Sequence, residues 1–143
     1  MTGADLERLA LLRELAADER EAVSKELEAA ALSTGEVLYH EGDEADGLVL
    51  LLEGQLRISS LRSGTAGIVG PGTALGALSL VALGAREASA VAESRCRLLW
   101  LRRPAFRRLV EDAPRAACRL LEAATCDFVS SVRQGIELLA PPR

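Results

Sequence analysis

Polar and apolar positions divide the chain into three stretches of different period. Leu6, Leu9, Leu12 and Leu15 recur at helical spacing with Glu7, Arg8 and Glu14 between them, and predict an amphipathic first helix. Asp18 with Glu21 three residues on has the pattern of a capping box, and Val23, Leu27 and Ala30 carry a second helix after it. From Leu32 the period shortens. Val37 and Tyr39 alternate with Glu36, Leu38 and His40, Gly42-Asp43 breaks the run, and Leu48 to Leu52 reads as a buried strand closed by Gly54. Leu56 and Ile58 alternate with Gln55, Arg57 and Ser59; a turn falls at Ser63-Gly64, and the next strand spans 65–69 before Gly70-Pro71-Gly72. Two more strands follow at 88–92 and 96–101. Short strands punctuated by turns at intervals of about ten residues predict a β-sandwich or roll.

The helical period then returns. Pro104 sits where a first turn tolerates it, Phe106, Leu109 and Val110 define a short helix, and Pro114 opens a long one that runs to Leu139 before Pro141-Pro142. The long helix has more apolar positions than one stripe needs. Ala117, Leu121, Ala124, Phe128, Ser131, Gly135 and Leu138 fall on a seam of the coiled-coil kind, while Leu120, Val132 and Ile136 occupy an adjacent face. One face is expected on the roll. The other predicts a homodimer, with Ala117, Leu121, Ala124, Phe128 and Gly135 at its interface. The chain reads as one domain over 1–143: N-terminal helices in 1–30, a roll in 31–101, two C-terminal helices in 104–139.

Composition narrows the class. About half of the residues are apolar, enough for one core, and no run reaches the roughly 18 residues of a membrane span. The first residues lack a basic segment followed by an apolar one, so a cytoplasmic address is expected. Cys96, Cys118 and Cys126 are odd in number and show no metal-binding spacing, and read as reduced, small hydrophobes. Net charge is only −4, but residues 1–53 hold 14 acids against four bases and residues 54–121 hold 11 arginines against four acids. A strongly dipolar molecule is expected, in which Arg95, Arg97, Arg102, Arg103, Arg107 and Arg108 form a solvated face or dock an acidic partner. An acidic chain is a poor binder of nucleic acid.

No catalytic constellation, phosphate-binding Walker loop or paired metal ligands appear, and His40, beside Glu41 and Asp43, reads as a solvated or capped histidine. No metal, cofactor or enzymatic activity is expected. The one stretch with candidate chemistry is 72–90, where Gly72 and Gly76 free the backbone, an apolar run follows, and Arg86 stands alone among apolar neighbours. An isolated guanidinium asks for an anion, or for a surface carboxylate such as Glu87 or Glu93.

In order and spacing these landmarks resemble the cyclic-nucleotide-binding domains, the sensor fold of the CRP/FNR regulators. Gly35-Glu36-Val37-Leu38 with Glu41-Gly42-Asp43 resembles the family's entry motif. Gly54 with Leu56 and Ile58 resembles its second strand signature, and Gly70-Pro71-Gly72 its G-x-G turn. Arg86, Ala88 and Cys96-Arg97-Leu98-Leu99 keep its spacing after the cassette, as Phe106, Leu109 and Pro114 do before the long helix. The resemblance implies a mainly β fold with flanking helices, an antiparallel double-stranded β-helix or jelly-roll, with 72–90 as phosphate-binding cassette and Ser131 near the place where the long helix touches the base.

Members that bind cyclic nucleotide carry a cassette similar to F-G-E-x-x-L…R-S/T-A, whose Glu takes the ribose hydroxyl and whose Arg and Ser or Thr hold the phosphate. Here the same positions read Leu75-Gly76-Ala77-Leu78-Ser79-Leu80 and Arg86-Glu87-Ala88. Gly76 and Arg86 remain, Ala77 replaces the carboxylate, and Glu87 brings a negative charge where a hydroxyl belongs. The expectation is a stand-alone regulatory or protein-interaction domain that takes neither cAMP nor cGMP. The alternative is a sensor of cyclic nucleotide in an altered pose, or of another small molecule. Residues after Leu139 leave no room for a DNA-reading helix-turn-helix, so no DNA partner is expected.

Overall fold

The computed structural model describes residues 9–82 and 84–139, with the side chains of all of these except 10, 78 and 127–139. A four-residue helix α1 (Ala10–Arg13) and α2 (Ala17–Ser24) lead into eight strands. These are β1 (Glu28–Leu32), β2 (Val37–Tyr39), β3 (Gly47–Glu53), β4 (Leu56–Ser60), β5 (Thr65–Val69), β6 (Ala74–Leu75), β7 (Ser89–Ala92) and β8 (Cys96–Arg102). A 3-10 turn, Ala77–Leu80, lies between β6 and β7, and α3 (Arg103–Asp112) and α4 (Pro114–Leu139) close the chain. The strands form two antiparallel four-stranded sheets, β1-β8-β3-β6 and β2-β7-β4-β5. This is the double-sheeted roll with flanking helices that the sequence pattern predicts.

β3 and β8 are buried on both faces, which is why their sequences read as continuous apolar runs. Because side chains alternate across a strand, Leu48, Leu50, Leu52, Leu99 and Leu101 face one core while Val49, Leu51, Leu98 and Trp100 face another. The first core holds the helices, with Leu9, Leu12, Leu15, Val23, Phe106, Leu109 and Leu120 in one cluster. The second is the inside of the roll, where Leu56, Ala92, Cys96 and Trp100 meet Leu38, Tyr39, Ile58 and Val69.

Three expectations are corrected. Leu27 and Ala30 do not continue a helix: α2 stops at Ser24, and Glu28 to Leu32 pair residue by residue with Trp100 to Cys96 of β8. Ladder pairing to an existing strand outweighs the helix propensity of E-A-A-A-L, and the roll begins at 28 rather than 31. The cap of α2 is also shifted. The N-cap is Ala16, whose amide donates to Glu19 Oε1 at 2.9 Å, so Asp18 and Glu21 do not form the box.

The third correction concerns charge. Acidic and arginine-bearing segments lie against each other rather than at opposite poles, because β1 pairs with β8 and α2 packs on α4. Glu28 pairs with Arg102 at 3.2 Å, Glu26 with Arg108 at 3.1 Å and Glu53 with Arg97 at 2.7 Å, while Glu19 approaches Arg119 at 3.8 Å. Charge that is segregated along the sequence is thus partly paired in space. Among the described residues no helix is long and apolar enough to cross a membrane.

On α4, Ala117 and Ala124 are buried in the chain's own helix-side core together with Ala116 and Leu120, and Leu121 packs against the same cluster. The first half of the expected dimer seam therefore belongs to the single chain, since α1, α2 and α3 lie on it. The side chains of Phe128 and Ser131 and the surroundings of Gly135 lie outside what the structure describes.

Candidate functional site

The site is built where two loops meet, 40–47 before β3 and 76–86 after β6. Arg86 is fixed by its backbone first: its amide donates to Asp43 O at 2.7 Å, and its carbonyl accepts from the Gly42 amide at 2.8 Å. The Ala45 amide adds a bond to Gly84 O at 2.9 Å, and Glu44 and Ala85 form an isolated bridge. The E-G-D turn thus docks on the cassette arginine, which accounts for the spacing between motifs some forty residues apart. His40 is exposed, with its amide bonded to Asp43 Oδ2 at 2.8 Å and its ring 3.7 Å from that carboxylate. It caps a turn.

The Arg86 side chain turns inward and is only 6% exposed. Its Nη2 donates to Gly47 O at 3.0 Å and lies 3.8 Å from Asp46 Oδ1. The guanidinium covers the Tyr39 ring at 4.4 Å and stands 5.8 Å from the Trp100 ring, on which Arg102 stacks from 4.4 Å. Asp46 bridges the two cations, since its Oδ2 accepts from Arg102 Nη1 at 3.1 Å. Burial raises the Tyr39 phenol above its ordinary value, and the Arg86 charge opposes that rise without cancelling it. A partly desolvated cation over an aromatic face gains about 0.5–2 kcal/mol, so the tyrosine helps hold the guanidinium where it is.

Gly76 sits directly over that guanidinium. Its φ of +77° is left-handed, and a Cβ built there would collide with Arg86 Nη1 and lie 3.1 Å from Gly47 O. Both the dihedral and the close approach require glycine. Below it, Ser79 Oγ donates to Gly47 O at 2.7 Å, so a single carbonyl of β3 accepts from the hydroxyl of the 3-10 turn and from Arg86.

A second arginine holds the other side of the cassette. Arg103, the first residue of α3, donates from Nε to Ser79 O at 3.0 Å and from Nη2 to Ser79 O, Ala45 O and Ala82 O at 2.7, 3.1 and 3.0 Å. Its own amide donates to Asp46 O at 2.9 Å. It does not belong to a solvated arginine face. Of the six arginines expected there, Arg97, Arg102, Arg103 and Arg108 are engaged within the chain.

The residues singled out in the sequence separate into two sets. Gly76 and Arg86 come together as the cassette pattern requires, and Ala77 packs half-buried on the helix-side core. Glu87 is exposed, so its charge lies in water, and Ala88 is half-buried. The side chain of Leu78 lies outside the described residues. Arg86 does not pair with Glu87 or Glu93 at the surface; Glu93 takes Arg57 at 3.1 Å, and the arginine that was weighed for a surface pair is inside the roll. Asp46, Gly47, Tyr39, Ser79 and Arg103 were not foreseen. Tyr39 carried a signal, being an aromatic on the inward phase of a strand, and so did Asp46, an acid at the mouth of a fully apolar strand. Among the described residues no cluster of His, Cys, Asp and Glu side chains is placed to hold a metal.

A β-roll with a glycine-turned cassette folded over an inward arginine defines the class. The chain matches the family described as Cyclic nucleotide-binding domain over residues 30–113, and it belongs to that family. It is similar to the N-terminal domain of a transcriptional regulator from Streptomyces coelicolor, with 27% identity, TM-score 0.75 and coverage of 89% of this chain and 94% of that one. It is also similar to the Thermus thermophilus catabolite activator protein, with 26% identity, TM-score 0.75 and coverage of 91% and 62%. Lysophospholipase nte1 of Aspergillus oryzae shares 34% identity over 94 residues, 62% of this chain. The chain spans 6% of the length of that enzyme.

Proposed function

We propose that this domain is a non-enzymatic regulatory and protein-interaction module of the cyclic-nucleotide-binding fold that takes neither cAMP nor cGMP. One observation carries the reading: the Arg86 guanidinium is already engaged inside the roll, by Gly47 O at 3.0 Å and the Asp46 carboxylate at 3.8 Å. Ala77 stands where binding members have the ribose-holding carboxylate, which forfeits a charge-assisted hydrogen bond of about 1.5–3 kcal/mol. A phosphate bonded to Arg86 would lie about 6 Å from Asp46, a repulsion of roughly 3 kcal/mol at an effective dielectric near 20, reduced to about 1–2 by solvent and by Arg102. Together these reach about 2.5–5 kcal/mol, or roughly two to three and a half decades of affinity.

Titration calorimetry with cAMP and cGMP tests this. No saturable heat is expected below about 0.1 mM, and a micromolar dissociation constant for the unmodified chain would refute the reading. Gly76, retained over Arg86 in the left-handed conformation that the cassette turn needs, favours a second reading, a sensor in which a different anion displaces Asp46. That reading gains if Asp46→Asn binds a nucleotide that the unmodified chain ignores. Ala77→Glu with Glu87→Ser restores the family's cassette chemistry, and is expected to bind only together with the Asp46 change.

A further inference from the structure

Among the described residues β5 is an unpaired edge of the sheet β2-β7-β4-β5, as β2 is at its other side, and it is unlike the other edges. Edge strands present a row of unpaired amides and carbonyls, which proteins blunt with charge, proline, bulges or brevity. Among the described strands β6 has two residues, β2 has three and a register shift between Val37 and Tyr39, and β1 carries Glu28 in a pair with Arg102. β5, Thr-Ala-Gly-Ile-Val, has five residues, no charge, no proline and an unbroken register from Leu56↔Val69 to Ser60↔Thr65. Four of its residues are exposed, with Ile68 at 53%, and Leu61 at the tip of the same hairpin is 97% exposed.

We propose that β5 is the contact between two copies of this chain, paired antiparallel across a two-fold axis at Gly67. The inference goes beyond the reading given above and stands whether or not the roll takes a nucleotide. The occupant follows from the strand's own chemistry. An uncharged edge offers a charged peptide nothing to pair with, whereas a second copy meets no like charge, and a two-fold contact must be self-complementary. With Gly67 opposite Gly67, Ala66 of each copy faces Ile68 of the other on the outer face of the sheet, a small residue against a large one. On the inner face Thr65 of each copy faces Val69 of the other, a pairing of β-branched side chains. Arg57, the neighbour of Ile68 on that outer face, is neutralised by Glu93 at 3.1 Å and adds no repulsion across the axis. The result is one eight-stranded sheet in which the two β5 edges are paired and the short β2 strands remain at its ends.

The register gives the test. Across an antiparallel pair directly opposed Cα atoms lie about 4.5–5.5 Å apart, within the reach of a disulfide. A Cβ at Gly67 meets nothing within 4 Å, and its φ is not left-handed, so cysteine fits there without strain. In a background of Cys118→Ser and Cys126→Ser, which removes the exposed thiols, Gly67→Cys is expected to form a disulfide-linked dimer under mild oxidation. Thr65→Cys is expected to form none, because the two copies of residue 65 are four positions apart, about 13 Å. Sedimentation equilibrium of the unmodified chain is expected to show a dimer, and Ile68→Lys to weaken it at least tenfold while its thermal unfolding curve matches that of the unmodified chain at dilutions where both are monomeric. A monomer up to about 100 µM, equal cross-linking at 65 and 67, or a dimer that survives Ile68→Lys would each overturn the assignment.

Discussion

Replacing Arg103 tests whether the cassette is held from the outside by α3. The guanidinium makes four contacts of 2.7–3.1 Å to three carbonyls, those of Ser79, Ala45 and Ala82, and its amide holds Asp46 O. Nη2 has two hydrogens for three acceptors, so these amount to about three bonds. Hydrogen bonds from a charged donor are worth about 1.5–3 kcal/mol each when buried, but this side chain is only half-buried and its acceptors regain water when it is removed. A net loss of about 2–4 kcal/mol follows for Arg103→Ala. In a chain of this length each kcal/mol lowers Tm by about 3–4 °C, so a fall of roughly 6–15 °C is expected in calorimetry. Arg103→Lys places a point charge where a planar fork bridged three carbonyls, and is expected to recover less than half of the loss. Amide exchange separates a cassette-specific effect from general weakening: residues 76–82 are expected to gain exchange ahead of β3 and β8. A Tm change under 2 °C, or exchange that rises equally everywhere, would show that the cassette is held by its own turn and not by α3.

Two further outcomes follow from the geometry. Gly54 has φ +92°, and a Cβ there would collide with Arg95 O and lie 2.9 Å from Cys96 Sγ, so Gly54→Ala is expected to lose about 3 kcal/mol or more in denaturant unfolding, and a loss under 1 would contradict the close approach of β3 and β8 at that turn. Glu41 holds the β4–β5 hairpin through Ser60 Oγ at 2.8 Å and the Leu61 amide at 2.9 Å, and its pKa is lowered, first by the Ser60 hydrogen bond. A depressed folded pKa means that the contribution is present above the unfolded value, near 4.3–4.5, and is lost as pH falls through the folded one. Exchange at 61 and 62, corrected for intrinsic pH dependence, is expected to rise only below about pH 4.5, and Glu41→Gln to produce the same rise at neutral pH; a pH-independent profile would remove Glu41 from the hairpin's support.

What the sequence showed of the fold tracks how local the cause is. β3, β5 and β8 were legible nearly to the residue, because burial on both faces gives β3 and β8 unbroken apolar runs and because glycine turns bound β5. β1 was misread because Glu28 to Leu32 has the composition of a helix, and its strand state is imposed by β8, some seventy residues away. The pairing of acids and arginines across segments was hidden for the same reason. Counting charges by segment cannot see that β1 lies beside β8, where Glu28 finds Arg102. On α4 the apolar positions Ala117, Leu121 and Ala124 are on a packed face as expected, but it is the chain's own core that they pack on, small residues letting the helix approach it, and the rest of the seam lies outside the described side chains.

The site divides along the same line. Gly76 was legible because a left-handed turn has a residue signature, and Arg86 because one arginine among apolar neighbours is conspicuous. Where the guanidinium points was not legible, since that depends on Gly47 O, Asp46 and Tyr39 arriving from the other loop. On the proposed reading, in which the roll takes neither cAMP nor cGMP, the engaged guanidinium is the physical cause. On that reading Ala77 lacks one attractive contact, whereas Asp46 and Gly47 already partner the guanidinium, so that an anion would have to displace them rather than water. Affinity then depends on the difference between two occupied states. Restoring Ala77 to Glu without releasing Arg86 is therefore expected to leave the roll unliganded, which separates an engaged arginine from a merely incomplete cassette.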